Sequence, residues 1–146
     1  MTVIATDGRT IAGDGLTLCG WTIDQTDTVK VLRLADGRVF GTTGLASDKI
    51  VFGNYLAGKS DKPDFSGRDT PFSALVLNTD GSVDWYGAEC IAVPASIPTA
   101  IGCGSDFARA ALVMGATSKE AVALACKLSA GCGGTITVMS IAGGAE

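Results

Sequence analysis

The chain alternates short apolar runs with Asp-Gly pairs, and this punctuation predicts most of its elements. Residues 2–6 and 9–13 are β-rich and flank Asp7-Gly8. That is the signal for a tight two-residue hairpin whose central residues both take positive φ. Residues 16–18 and 21–23 read as short strands around Cys19-Gly20, and 24–27 as polar loop. Residues 29–34 alternate Val29 and Val31 with Lys30 and Leu32, and Asp36-Gly37 turns them into a strand over 38–43. A third pair, Asp80-Gly81, joins strands over 72–78 and 82–87.

Helical spacing appears first over 46–57, where Ile50, Val51, Phe52, Tyr55 and Leu56 recur at roughly helical intervals. Ser47 is its candidate cap, and Gly53 weakens it by about 1 kcal/mol relative to alanine. Residues 58–71 are polar and carry Pro63 and Pro71, as an exposed loop does. Residues 88–98 read as irregular and 99–101 as a short strand. An Ala-rich helix over 105–114 ends at Gly115, and Ser118 with Glu120 opens another that runs to about 129. Residues 131–134 break it, 135–141 form a last β-rich strand, and 142–146 read as a frayed tail. The pattern alone gives a layered α+β fold, and two antiparallel sheets stacked between helical layers fits the order of elements.

Composition narrows the function. A length of 146 residues makes one domain, 1–146, the default. Apolar residues reach 47% against 18% charged, which suggests extensive burial or a shared interface. A net charge of −4 without any Lys/Arg run argues against nucleic acid and anionic membrane as partners. There is no histidine, which removes Ser-His-Asp and Cys-His catalysis and most zinc sites. A nucleophile here needs an amine or a lysine as its base, and an α-amino group titrates near pH 8 in model peptides. The five cysteines are odd in number and lack CxxC spacing, so a reduced, cytoplasmic chain is the simplest reading. No basic region followed by an apolar run marks a signal peptide, and no apolar stretch is long enough to span a bilayer. Nothing calls for a cofactor or a metal.

Three residues near the front can carry chemistry. Thr2 becomes an N-terminal threonine with its own base if Met1 is removed; otherwise it is an ordinary β-prone residue. Asp14 lies between two glycines, where a buried carboxylate could orient a lysine; the alternative is a turn aspartate. Lys30 follows sixteen positions later, flanked by Val29 and Val31 on an expected strand. It points inward, where burial lowers its pKa, or outward to solvent.

Together these residues resemble the front of the proteasome β / HslV family of N-terminal nucleophile (Ntn) hydrolases: Thr2, Ala12-Gly13-Asp14-Gly15, then Val29-Lys30-Val31 and Arg33-Leu34. Ala100-Ile101-Gly102-Cys103-Gly104-Ser105 resembles the family's Gly-Ser-Gly segment before a helix, with Cys103 where the family serine bonds near the threonine amine. Ser129-Ala130-Gly131-Cys132-Gly133-Gly134 resembles the Asp-x-x-Ser-Gly-Gly element before the last strand, with Ser129 for the aspartate and Cys132 for the serine. A thiol bonds more weakly than a hydroxyl, and the bland reading of both cysteines is small buried core residues.

The resemblance implies a four-layer αββα sandwich of two antiparallel sheets, with one helical layer reduced because residues 45–71 have room for one helix where the family has two. It implies a threonine-type peptidase with Thr2, Asp14, Lys30, Cys103 and Ser105 at the catalytic centre and Leu18 and Gly44 against substrate. It also implies a polypeptide substrate and a homo-oligomeric ring. An ATP-dependent unfoldase partner belongs to the same pattern, but the missing helix lies near the ring contacts and the ATPase-facing surface and weakens that carry-over. The first strand is about three or four residues short of family length, about 10–13 Å at ~3.3 Å per residue, which predicts that Thr2 falls short of the nucleophile's position. Two further readings stay open. One is a catalytically inactive, structural or assembly subunit of the same fold. The other is a small-ligand or cysteine-based function in which Cys103 works beside Lys30.

Overall fold

A computed structural model of the chain describes residues 1–141; the tail expected over 142–146 lies outside them. β1 (Val3–Thr6) and β2 (Thr10–Gly13) form the first hairpin. β3 (Thr17–Cys19) and β4 (Thr22–Gln25) form a separate exposed ribbon that turns at Gly20. β5 (Val31–Arg33) and β6 (Val39–Thr43) make the second hairpin, and α1 (Asp48–Leu56) follows. β7 (Ser73–Leu77) and β8 (Val83–Tyr86) make the third. Then come β9 (Ala92–Pro94), β10 (Thr99–Gly102), α2 (Ser105–Val113), α3 (Ser118–Leu128) and β11 (Thr137–Ser140).

The hairpin positions are as expected, but the turn chemistry differs. Only the glycine of each pair has positive φ: 89° at Gly8, 94° at Gly37 and 87° at Gly81. Each aspartate instead lends its carboxylate to the turn. Asp7, Asp36 and Asp80 accept the amides of Arg9, Arg38 and Ser82 at 2.9, 3.0 and 2.9 Å. The turns are therefore longer aspartate-capped loops closed by a left-handed glycine, not two-residue turns with both centres at positive φ.

The strands build two antiparallel sheets, ordered β10-β1-β2-β11 and β5-β6-β7-β8-β9. Alternation along each strand sorts side chains into separate cores. Val3 and Ala5 of β1, with Ala12 of β2, face α2 and α3, where Ala108, Ala121 and Ala125 allow close approach. Ile4, Ile11, Val31, Val39, Leu75 and Leu77 fill the space between the sheets. Gly41 makes room there, because a Cβ would stand 2.7 Å from Ile4 Cγ2. The far face of the second sheet is aromatic: Phe52 of α1 meets Phe40, Phe72 and Tyr86 at centroid distances of 5.7, 5.3 and 5.0 Å. The fold is thus α+β, a four-layer αββα sandwich. Its second helical layer is reduced to α1, with the non-helical stretch 58–72 packed alongside through Phe65 stacked on Phe72.

Three local expectations change. Residues 88–98 contain β9, an edge strand that can end on Pro94 because an edge residue needs no amide on its open side. Ser47 makes no side-chain cap; the Asp48 carboxylate takes the Leu45 amide at 2.7 Å instead. α3 is capped one residue earlier than expected, by a reciprocal box between Thr117 and Glu120. Ser118 is thereby freed to donate to the Thr10 carbonyl and to accept the Asp7 amide, both at 3.0 Å, which ties α3 to the first hairpin.

Candidate active site

The register of β1 and β2 builds the site. Ile4 pairs with Gly13, so the next position places Asp14 opposite Val3 at the hairpin's open end. Val3 N donates to Asp14 Oδ1 at 3.1 Å, and Asp14 N donates to the Val3 carbonyl at 3.3 Å. Thr2 stands one residue further out. Lys30 enters from the other sheet, just before β5 rather than within a strand. All three are nearly inaccessible: Thr2 is 6%, Asp14 0% and Lys30 8% exposed.

Lys30 Nζ lies 3.3 Å from Thr2 Oγ1. The expected shortfall of the first strand is therefore absent. The open end of a hairpin is set by its cross-strand register, and a shorter hairpin loses residues from both strands at its tip. Lys30 Nζ also donates to Asp14 Oδ1 at 3.0 Å, Leu16 O at 2.6 Å and Met1 O at 3.2 Å. A buried ammonium needs a counter-charge and full hydrogen bonding, and Asp14 with these oxygens supplies both. Asp14 is held in turn by Gly133 N, which donates to Oδ2 at 3.1 Å. Gly15 lets the 131–135 segment pack this closely, since a Cβ there would meet Thr135 O at 2.5 Å. A fixed cation this close to Oγ1 lowers the cost of developing alkoxide charge.

Beside these residues opens a cleft of about 350 Å³ lined by Thr2, Leu18, Lys30, Gly44 and Lys49, among others. Leu18 and Gly44 thus line one cavity with Thr2 and Lys30. Gly44 has φ 125°, and a Cβ there would run into the Asp48 carboxylate. That carboxylate is gripped by both terminal nitrogens of Arg68, from the 58–71 stretch, and fixes the Leu45 amide at the cleft rim. The sequence reading missed Asp48, Arg68 and Lys49. Asp48 and Arg68 are distant in the chain, and a polar loop gives no sign of which residue will pair.

Cys103 and Ser105 are not joined to this group. Among the described residues, no hydrogen bond links either one to Thr2, Asp14 or Lys30. Cys103 is exposed, with Sγ 3.5 Å from Cys132 Sγ and 3.9 Å from Ser129 Oγ. Of the two cysteines read as buried core residues, only Cys132 is one. Burial above all pushes its thiol up to about 12, and burial likewise pushes Cys126 up to about 11. Neither is a thiolate near neutrality. The contribution of the 129–134 element to Asp14 is the Gly133 backbone amide, a group no residue pattern displays. Among the described residues, no three His, Cys, Asp or Glu side chains converge as metal ligands, and no helix is long and apolar enough to cross a membrane.

No protein-family model and no curated protein matches the chain. Solved structures do. Thiobacillus denitrificans BPH is 22% identical with a TM-score of 0.72 over 97% of this chain and 98% of its own. The same protein in complex with epoxomicin gives a TM-score of 0.73 at 22% identity, over 97% and 99%. Eukaryotic HslV from Trypanosoma brucei gives 0.71 at 17% identity, over 94% and 97%. This chain therefore has the proteasome/HslV-like Ntn-hydrolase fold.

Proposed function

We propose that the chain is a threonine-type peptidase that cleaves polypeptides through Thr2 once Met1 has been removed. The observation that carries this reading is the 3.3 Å approach of Lys30 Nζ to Thr2 Oγ1, with Lys30 anchored on the fully buried Asp14. In the chain as it stands, Thr2 Oγ1 donates to the Met1 carbonyl at 2.7 Å. Loss of Met1 frees that hydroxyl and leaves an α-amine on the same residue. The amine takes the Oγ1 proton as Oγ1 attacks the peptide carbonyl, and Lys30 steadies the developing charge. The amine then returns the proton to the leaving amine, giving an acyl ester on Thr2 that water hydrolyses. Leu18 and Gly44 shape the cleft that receives the polypeptide. The complex of BPH with epoxomicin supports a ligand cleft in a protein of this fold.

The same reading includes self-association. Trp21 and Met114 are 90% and 88% exposed, and Val113, Ile23 and Ile50 are also largely uncovered. We read these exposed apolar side chains, which lie on the β3–β4 ribbon, α1 and the end of α2, as available to an interface between copies of the chain, and the ring type follows from the family resemblance rather than from their positions. Residues 58–72 replace the second helix of their layer, so we assign no unfoldase partner.

Intact mass and peptide hydrolysis test the reading together. We expect a species lighter by one methionine, turnover of unstructured polypeptide, and a loss of about a thousandfold or more with Thr2→Ala. The second reading is an inactive structural subunit. It is favoured by the Met1 carbonyl, which takes hydrogen bonds from both Thr2 Oγ1 and Lys30 Nζ, and by the two thiols at family serine positions. Retained Met1 with no turnover, unchanged by Thr2→Ala, would establish it.

A further inference from the structure

The cleft beside Thr2 is lined by two lysines and no carboxylate: Lys30 and Lys49 carry its only charged side chains among the described residues. They differ in one respect. Lys30 is neutralised by Asp14 at 3.0 Å. Lys49 pairs with no carboxylate among the described residues; its Nζ donates to the Val29 carbonyl at 2.7 Å, and an ammonium has three protons to give. That anchor holds the amine directly beside the residue preceding Lys30.

Lys49 is also the second residue of α1, at the helix end that carries partial positive charge. A cation is disfavoured there by the helix dipole. Partial burial, and after it the charge of Lys30, pulls its pKa down from the usual lysine value. Burial, the helix dipole and the charge of Lys30 act against the ammonium, and among the described residues the Val29 carbonyl alone offsets them, so an anion delivered to the cleft supplies the missing counter-charge.

We propose that Lys49 is a specificity-determining residue that receives an acidic side chain, Glu or Asp, of the polypeptide next to the bond cleaved. The proposal rests on the peptidase reading for its link to cleavage, but it makes a binding prediction of its own. A partly desolvated ammonium discriminates a carboxylate from its neutral isostere more strongly than one in open water does. Lys30 is not free for this part, because its Nζ is already directed at Asp14 Oδ1, Leu16 O and Thr2 Oγ1.

Two measurements separate this idea from the peptidase reading. The first uses the protein lacking Met1 and fluorogenic peptides that differ only at the residue before the scissile bond. We expect Glu over Gln by about tenfold in kcat/KM. Lys49→Gln should abolish that preference by lowering kcat/KM for the Glu peptide about tenfold more than for the Gln peptide, and Lys49→Glu should turn it towards Lys. Equal rates for Glu and Gln, or a Glu preference that survives Lys49→Glu, would overturn the proposal. The second measurement needs no turnover. Product-like peptides ending in Glu or Gln are titrated by fluorescence anisotropy into the Thr2→Ala protein, with and without Lys49→Gln. Tighter binding of the Glu peptide by about fivefold or more, weakened by added salt and erased by Lys49→Gln, supports Lys49 even if no peptide is cleaved. Equal binding of the two peptides sinks it, whatever the first measurement shows.

Discussion

At the scale of single residues, the Asp14–Lys30 pair is both a structural and a chemical unit. Removing one partner strands a buried charge. Lys30→Ala is expected to lower stability by ~3–5 kcal/mol, measured by urea denaturation. Asp14→Asn combined with Lys30→Met should cost less than the two single changes added together, because no ion is then left unpaired. Asp7 carries a pH signature. Burial pulls its carboxyl upward, but the amides of Thr10 and Arg9 outweigh that and leave it below the usual aspartate range. A lowered folded pKa stabilises above the unfolded value of about 3.9, and the contribution fades as pH falls through the lower folded value. Asp7→Ala should therefore lower the melting temperature at pH 7 and make little difference near pH 2. The thiols offer a third check. Exposed Cys19 and Cys103 should be alkylated at pH 8 well before Cys126 and Cys132, whose burial holds them protonated, and peptide mass mapping reads the order.

At the scale of elements, α1 depends on one side chain. Phe52 is fully buried, and the rings of Phe40, Phe72 and Tyr86 close around it. Phe52→Ala should cost ~3–5 kcal/mol. It should also loosen the cleft rim, since Asp48 lies on the same helix and fixes the Leu45 amide. α3 is secured differently. Its Thr117–Glu120 box satisfies end amides directly, so Thr117→Ala should cost about 1 kcal/mol. The contrast follows from their surroundings: among the described residues α1 is the sole helix of its layer and relies on aromatic packing, whereas α3 shares its layer with α2.

At the scale of the whole molecule, the two sheets meet so that the candidate site draws its residues from both. Thr2 and Asp14 sit at the open end of the β1–β2 hairpin, and Lys30 leads into the second sheet. The inter-sheet core of Ile4, Val31 and Val39 thereby fixes the distance between Thr2 Oγ1 and Lys30 Nζ. A cavity-forming Ile4→Ala change should reduce activity more than its ~2–5 kcal/mol stability cost alone explains. The comparison is turnover at a temperature where the variant remains fully folded. Sedimentation velocity addresses the uncovered apolar surface: the oligomer reading requires a species larger than one chain.

By itself the sequence pattern determined where the hairpins and helices lie and a layered α+β class, and the four-layer order followed from the family resemblance. Period-2 and period-3.6 patterns and Asp-Gly turns are local, and the physics that reads them is local too. It also singled out Thr2, Asp14 and Lys30, because Gly-Asp-Gly and a lysine between valines are visible in one dimension. Distances were decided only by the tertiary structure. Strand length suggested that Thr2 would fall short, yet cross-strand register brought it to Lys30. Cys103 and Ser105 looked like members of the same group, yet among the described residues no hydrogen bond joins either to it: their segment meets Thr2 through the Gly104 amide, 3.5 Å from the Thr2 carbonyl, and the 129–134 element meets Asp14 through the Gly133 amide. Lys49 and the Asp48–Arg68 pair were invisible for the same reason: a side chain's partners across 20 or more residues depend on how the layers stack, and no local pattern encodes that.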